Sequence, residues 1–372
     1  MSFTAQDSSY MARAIQLARK GWFTTRTNPR VGCVLVKDGQ IIGAGWHEKP
    51  GFAHAEINAL QQAGDATKGA TAYVTLEPCA HYGKTGPCAE ALVKAGVVRV
   101  VAAMLDPNPL VAGKGMQILA DAGIKVEHGL MQSEAEKLNP GFIKRMTKGL
   151  PRVVAKVAVS LDGRTAMASG ESQWITGAAA RRDVQRLRAE SGAIITGSGT
   201  VVIDNPSMNV REQAYTANPH FVQPLRVIID SQNLVEPDAN IFANEGACWL
   251  ITGNVSTKDY PANVEQKQVA LLPGKNGVSH HKVDLKVLLT ILADAGINDV
   301  LIEAGSGLVG AFAEQGLIDE LAVYMAPKLM GSAARPMMQL PFETMQQNIE
   351  LSLSDVRQIG DDLRLTYHFK KV

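Results

Sequence analysis

The chain has 372 residues, 46% hydrophobic and 20% charged, with a formal net charge of +1. That length holds two or three domains at roughly 100–200 residues each, and the composition is ordinary for a globular protein. Near-neutrality gives no general electrostatic reason to expect nucleic acid, and no apolar run reaches the ~20 residues that a membrane span needs.

Residues 1–7 lack the basic and apolar regions of a signal peptide, so a cytoplasmic location is expected. Asp7 or Ser8 is placed to cap a first helix carrying Met11, Ile15, Leu17 and Ala18, with Gly21 ending it. After the turn-rich Thr27-Asn28-Pro29-Arg30, residues 31–36 read as a buried strand that holds Cys33 as core filler. Asp38-Gly39 is a two-residue hairpin signal returning into residues 41–45. A helix is expected over 54–63, a strand over 71–76, a helix from Cys88 to about Gly96 and a strand over 97–103. Another helix then ends near Gly123, before a short strand at 124–127. This alternation predicts a layered α/β domain. Residues 133–148 read as one amphipathic helix, and Gly149-Leu150-Pro151 breaks the chain there. The expected domains are therefore 1–148 and 151–372.

The first domain carries His54-Ala55-Glu56, then Pro78-Cys79, then Cys88. Four cysteines in all are too few for a disulfide framework, and a cysteine pair with a nearby histidine suits a metal in a reducing compartment. Catalytic zinc commonly takes three protein ligands and a water whose pKa it lowers to about 7. His54, Cys79 and Cys88 are the three candidate ligands, and Glu56 is the candidate general acid/base of a hydrolytic deaminase. The competing reading is a structural zinc site, with His81 as the nearest fourth ligand. Eight residues separate the cysteines, where the general deaminase signature has two. That insert carries His81 and Lys84, suited to a polar or phosphorylated substrate.

These motifs resemble the bifunctional riboflavin-biosynthesis deaminase–reductases. The resemblance rests on residues 28–33, Gly45-Trp46-His47, residues 54–60 and the whole stretch 75–88, and departs at Gly86, where the family often has proline. It adds Asn28 and His47 to His81 and Lys84 as expected substrate contacts.

In the second half, strands are expected over 152–159, 193–196, 226–230, 247–252, 299–303, 320–326, 349–353 and 363–369, with helices over 178–189 and 284–295. The late strands are expected to pair antiparallel. Gly305-Ser306-Gly307-Leu308-Val309-Gly310 matches G-x-G-x-x-G between a strand and a helix, either as a phosphate-binding loop or as a tight packing turn. No acid ends a following strand as a standard dinucleotide site requires. Arg188 and Arg211 suit phosphate through bidentate guanidinium forks, and Trp174 stacks on a ligand or packs.

Here the resemblance continues over residues 156–164, 170–176, 199–206 and 303–311, and covers nearly the whole chain. It implies an N-terminal cytidine-deaminase-like three-layer domain and a C-terminal dihydrofolate-reductase-like domain using NADPH. It assigns Ala158, Trp174, Thr200, Asp204, Ser231, Gly305, Ser306, Gly307, Leu308, Val309, Gly310 and Ala311 to the cofactor. Ser172, Arg188, Met208, Arg211 and Glu303 fall to the phosphoribosyl substrate. Met208 stands where the family often has leucine, and Asn205 where it often has aspartate. The expected enzyme binds one zinc ion per chain. It deaminates a ribosylaminopyrimidine phosphate and then reduces its ribosyl group to ribityl. No acid–base residue for the reduction stands out. The expected assembly is a homo-oligomer acting on small molecules, without nucleic acid or membrane. Two other readings are a single-activity nucleobase or tRNA deaminase with a non-catalytic C-terminal binding domain, and a zinc-stabilised NADP-binding regulator.

Overall fold

The computed structural model describes residues 3–82, 86–109, 111–272 and 282–370, and the chain divides into two units, Met1–Leu150 and Pro151–Val372. The first helix, α1 (Ala5–Ala18), starts earlier than its apolar pattern suggests, because Thr4 caps it. Asp7 sits three residues on and completes a capping box: its N–H donates to Thr4 Oγ1 at 3.0 Å, and its carboxylate accepts from the Thr4 N–H at 2.8 Å. The same carboxylate accepts from Tyr73 Oη and Arg99 Nη1, both at 2.6 Å, so the start of α1 is tied to the sheet.

The first unit then runs β1 (Gly32–Lys37), β2 (Gln40–Trp46), α2 (Ala55–Ala63), β3 (Thr71–Val74), α3 (Cys88–Lys94), β4 (Arg99–Ala102), α4 (Lys114–Asp121) and β5 (Lys125–His128). The sheet order is β2-β1-β3-β4-β5, antiparallel across β1 and parallel from β3 to β5. The hairpin expected at Asp38-Gly39 is present, with positive φ at both residues. Two close approaches fix the layers. A Cβ on Gly32 would meet Ala14 O of α1 at 2.0 Å, and one on Gly45 would meet Ala55 O of α2 at 2.3 Å. Gly45 pairs with Cys33, the residue after Gly32, so the two glycines face opposite sides of the sheet. The helices α1 and α2 therefore cover opposite faces, which gives the expected three layers.

The single helix expected over 133–148 is two, α5 (Gln132–Glu136) and α6 (Pro140–Lys148). The break falls at Asn139, whose side chain accepts from the Arg30 N–H at 2.7 Å and donates to the Arg30 carbonyl at 2.9 Å. Pro140 opens α6 and keeps Asn139 out of helical conformation, while the Asn139 side chain pairs with Arg30 just ahead of β1.

In the second unit, β6 (Arg152–Ser160) is central. The order continues α7 (Ala178–Glu190), β7 (Ala193–Gly197), α8 (Ser198–Asp204), β8 (Leu225–Ile229), β9 (Cys248–Thr252), β10 (Val264–Gln268), α9 (Leu285–Asp294), β11 (Asp299–Ile302), α10 (Ser306–Glu314), β12 (Glu320–Ala326), β13 (Leu351–Ile359) and β14 (Asp362–Phe369). The nine-stranded sheet has the order β10-β9-β8-β7-β11-β6-β12-β14-β13. Pairing is parallel from β10 to β12 and antiparallel for the last two strands, as expected. Three elements differ from expectation. The strand expected at 349–353 runs on to Ile359, because the exposed edge strand β13 takes its register from β14 despite its polar sequence. Residues 198–204 form a short helix where the sequence marks only the end of the strand 193–196. β10 is a further edge strand, polar enough to hide its pattern. Asp183 on α7 accepts from Tyr324 Oη at 2.6 Å and from Arg364 Nη1 at 2.7 Å, which locks the rotation of α7 over β12 and β14. Among the described residues, no helix is long and apolar enough to cross a membrane.

Candidate active sites

His54 is the N-cap of α2, Glu56 lies in its first turn, and Cys88 opens α3 after Pro87. Cys79 follows β3. Three elements thus deliver the three candidate ligands to one end of the sheet. His54 Nδ1 lies 3.5 Å from Cys79 Sγ and 3.3 Å from Cys88 Sγ, and all three ligand atoms fall within 4.8 Å of one another. A tetrahedral zinc with bonds of ~2.0 Å to nitrogen and ~2.3 Å to sulfur requires N···S edges of about 3.6 Å. The donor set fits the ion in kind and in spacing. Among the described residues, no other group of three His, Cys, Asp or Glu side chains is arranged to hold a metal ion. The neighbouring Cys88 thiol and the His54 ring pull the Cys79 thiol well below the ordinary thiol range.

The Glu56 side chain is buried. Burial pushes its carboxyl up to about 7, with His54 opposing and Cys79 adding to the rise. A carboxyl poised there takes and returns protons near neutral pH. His47 packs edge-on to His54, with ring centroids 5.4 Å apart. Its Nδ1 lies 3.2 Å from the Ala53 carbonyl, so that nitrogen carries the proton and Nε2 accepts from Asn28 Nδ2 at 3.0 Å. Burial lowers the His47 pKa, keeping the ring neutral. Asn28, His47, His54, Glu56, Cys79 and Cys88 therefore form one group. His81 is exposed and near Asp106; burial pushes that carboxyl up, with the His81 ring opposing. Lys84 lies outside the described residues.

In the second unit, the expected residues gather at the carboxyl ends of parallel strands, where open α/β sheets bind ligands. Glu303 follows β11 and is buried. Arg188 on α7 grips it with both ends of its fork, Nε to Oε1 at 2.5 Å and Nη2 to Oε2 at 3.0 Å. Arg188 Nη1 also donates to Asn209 O at 3.0 Å, and Nη2 lies 3.8 Å from Met208 Sδ. Arg211 is exposed, and its charge helps lower the Glu303 pKa. Ser172 Oγ donates to Asp204 Oδ1 at 3.0 Å, joining a residue expected at the substrate to one expected at the cofactor. Trp174 is 63% exposed, with Arg181 4.4 Å over its ring, so it is not core packing. Thr200 lies in α8, and Ser231 follows Asp230 at the end of β8. Ala158 lies on β6.

The glycine motif divides. Gly305 caps α10 beside open space, whereas a Cβ on Gly310 would meet Gln339 O at 2.2 Å. Gly305 and the N–H groups that follow it offer a cradle for phosphate, and Gly310 serves close packing. This open helix start and the basic groups around Glu303 fit a phosphate-bearing cofactor or substrate.

One residue escaped the sequence reading. Lys156 on β6 faces the same side as Ala158, with Nζ 4.0 Å from Glu303 Oε2. Burial pulls its ammonium below the ordinary lysine range, Glu303 opposes and Arg188 adds to the lowering. Alternation of Lys156 within the apolar run 153–159 was the available signal.

Residues 4–104 match the cytidine and deoxycytidylate deaminase zinc-binding region, and residues 151–365 match the RibD C-terminal domain. Riboflavin biosynthesis protein RibD of Escherichia coli K12 is 50% identical over 368 residues, covering 97% of this chain and 98% of the relative. The chain belongs to the family of bifunctional riboflavin-biosynthesis deaminase–reductases. RibD of Haemophilus influenzae is 49% identical over the full length of both chains. The solved structure of Acinetobacter baumannii RibD superposes with a TM-score of 0.90 at 49% identity, covering 98% of this chain and 99% of that one. A Thermotoga maritima diaminohydroxyphosphoribosylaminopyrimidine deaminase/5-amino-6-(5-phosphoribosylamino)uracil reductase does so at 0.84 and 30%, with the same coverage. Because the family's reductase half matches the second unit, the single-activity deaminase with a non-catalytic C-terminal domain is set aside.

Proposed function

We propose that the first unit hydrolyses the exocyclic amine of 2,5-diamino-6-(5-phosphoribosylamino)pyrimidin-4-one. On this reading the second unit reduces the ribosyl group of 5-amino-6-(5-phosphoribosylamino)uracil to ribityl with NADPH. The observation that carries the first step is a buried glutamate beside a three-ligand His/Cys group whose edges match zinc. His54, Cys79 and Cys88 would hold one zinc ion per chain. When bound, zinc supplies a water nucleophilic at neutral pH. Glu56 would take one proton from that water and pass it to the ring nitrogen, then take the second from the added hydroxyl as the carbonyl forms and pass it to the amino group, which leaves as ammonia. Neutral His47, with one ring nitrogen held by the Ala53 carbonyl and the other by Asn28, keeps Asn28 in place beside the site, and Asn28, His47, His81 and Lys84 are the proposed substrate contacts.

In the second unit, NADPH supplies the hydride. Gly305 through Ala311, Thr200, Asp204, Ser231, Ala158 and Trp174 form its surroundings. Arg188, Arg211, Ser172 and Met208 receive the phosphoribosyl group. Lys156 holds a proton for the ribosyl ring oxygen as the sugar opens, and Glu303 keeps its ammonium in place. Lys156→Met should lower kcat for the reduction by about 10²-fold or more with KM little changed. Steady-state NADPH oxidation on the deaminated substrate measures it, and an unchanged kcat would remove Lys156 from the chemistry. Small-molecule phosphoribosyl pyrimidines, a cytoplasmic location and a homo-oligomer complete the reading.

Chelation separates the two halves. Stripping the metal should abolish ammonia release, stoichiometric zinc should restore it, and NADPH oxidation on the deaminated substrate should persist throughout. Ammonia release by the metal-free chain at the original rate would refute the zinc assignment.

A further inference from the structure

Glu77 lies two residues before Cys79, and its side chain is buried. Four backbone N–H groups converge on its carboxylate. Oε2 accepts from Asp106 at 3.0 Å and Gly113 at 2.9 Å, and Oε1 accepts from Gly115 at 2.9 Å and Met116 at 3.3 Å. Its own N–H donates to Met104 O at 2.9 Å. The N-cap of α4, Gly113, has no side chain to cap the helix, so Glu77 satisfies the first-turn N–H groups from outside. The fit above it is tight: a Cβ on Gly115 would lie 1.9 Å from Pro78 O. The residue between Glu77 and Cys79 is thus pressed against α4 while Glu77 holds that helix in place. From the other side, the Cys88 N–H donates to Cys79 Sγ at 3.3 Å and the Ala89 N–H to Cys79 O at 3.2 Å.

We propose that Glu77 is a positioning residue for deamination, whose carboxylate clamps the Asp106 amide and the first turn of α4 beneath Pro78 and so sets the Cys79 thiolate at metal-bonding distance. Groups that orient metal ligands without touching the metal typically contribute 10–100-fold in metal affinity or activity. The inference rests on reading His54, Cys79 and Cys88 as metal ligands.

Glu77→Gln tests it. A carboxamide turns an NH2 group toward two of the four N–H donors, so half the clamp becomes donor facing donor. In the full-length chain loaded with cobalt(II), the variant should bind the metal about 10–100-fold more weakly. Its d–d bands should shift, and kcat for deamination should fall with KM little changed. NADPH-dependent reduction by the same chain serves as the folding control. A second measurement needs no variant: zinc added to the metal-free wild-type chain should slow hydrogen exchange at Asp106, Gly113, Gly115 and Met116, because coupling between clamp and metal is reciprocal. Wild-type cobalt spectra and affinity in the variant would overturn the proposal. So would exchange at those four amides that is indifferent to zinc, and this exchange result decides if the variant does not fold. Failure of the wild-type chain to bind cobalt at all would instead refute the ligand assignment itself.

Discussion

Glu56→Gln should lower ammonia release by about 10³-fold or more while leaving the metal in place. The substitution keeps the size of a buried side chain and removes its capacity to carry a proton between water and the leaving amine. The three ligand atoms do not depend on it, since His54 is placed by capping α2, Cys88 by opening α3 and Cys79 by its place after β3. Metal content by elemental analysis and ammonia by a coupled assay give the two readouts. Retained zinc with lost turnover assigns the proton transfer to Glu56, whereas a wild-type rate would mean that another group carries it. The same result bears on the non-enzymatic alternative, because a purely structural zinc has no use for a buried glutamate poised near neutrality.

The second large effect is expected at Arg188→Leu. Both ends of the Arg188 fork are bound to Glu303, with the two side chains 12% and 6% exposed. Removing one partner leaves a buried carboxylate with no direct hydrogen-bonded cation, only Lys156 at 4.0 Å and the charge of Arg211. Breaking such a pair costs about 3–5 kcal/mol, to be read as a lower unfolding midpoint of the second unit. Reduction should fall with it, through a displaced Glu303 and Lys156. The pH dependence has a definite sign. Burial raises the Glu303 pKa, but Arg188 and Lys156 outweigh it and the carboxyl titrates below its ordinary value. The pair's contribution is therefore fully present above the unfolded carboxylate pKa of ~4.3 and is lost as pH falls through the lower folded value. The difference in stability between wild type and Arg188→Leu should be largest near neutrality and shrink in acid. Urea melts at neutral and acid pH measure it, and a difference that grows in acid would contradict the ion-pair assignment.

Much of this was legible in the sequence because chemistry and local structure coincide there. His54, Glu56, Cys79 and Cys88 are residue types with few other uses in that combination, and two of them sit at helix starts that the apolar pattern marks. Asp38-Gly39 forces its hairpin by local backbone preference alone, and the strand–helix alternation specifies the layers. What stayed hidden depends on partners far along the chain. Lys156 reads as a flaw in an apolar strand until Glu303 and Arg188 are seen beside it. Asn139 breaks a plausible helix because Pro140 follows it at the start of α6, a local signal that the amphipathic pattern masks, and its side chain then completes the hydrogen bonds of Arg30. The edge strand β13 alternates over Leu351–Ser354, but a bulge between Leu353 and Asp355 breaks its period, so its continuation to Ile359 is set by pairing with β14. The G-x-G-x-x-G match covers two different surroundings, open space at the helix start of Gly305 and close packing at Gly310, which spacing alone cannot separate.

The most direct test of two active sites on one chain is incubation of the zinc-loaded protein with 2,5-diamino-6-(5-phosphoribosylamino)pyrimidin-4-one, with and without NADPH. Ammonia and NADPH absorbance are followed separately. Ammonia should appear in both reactions, with NADPH oxidised only as the deaminated product accumulates. An intact amine in both would contradict the deaminase assignment, and ammonia without any NADPH oxidation would contradict the reductase.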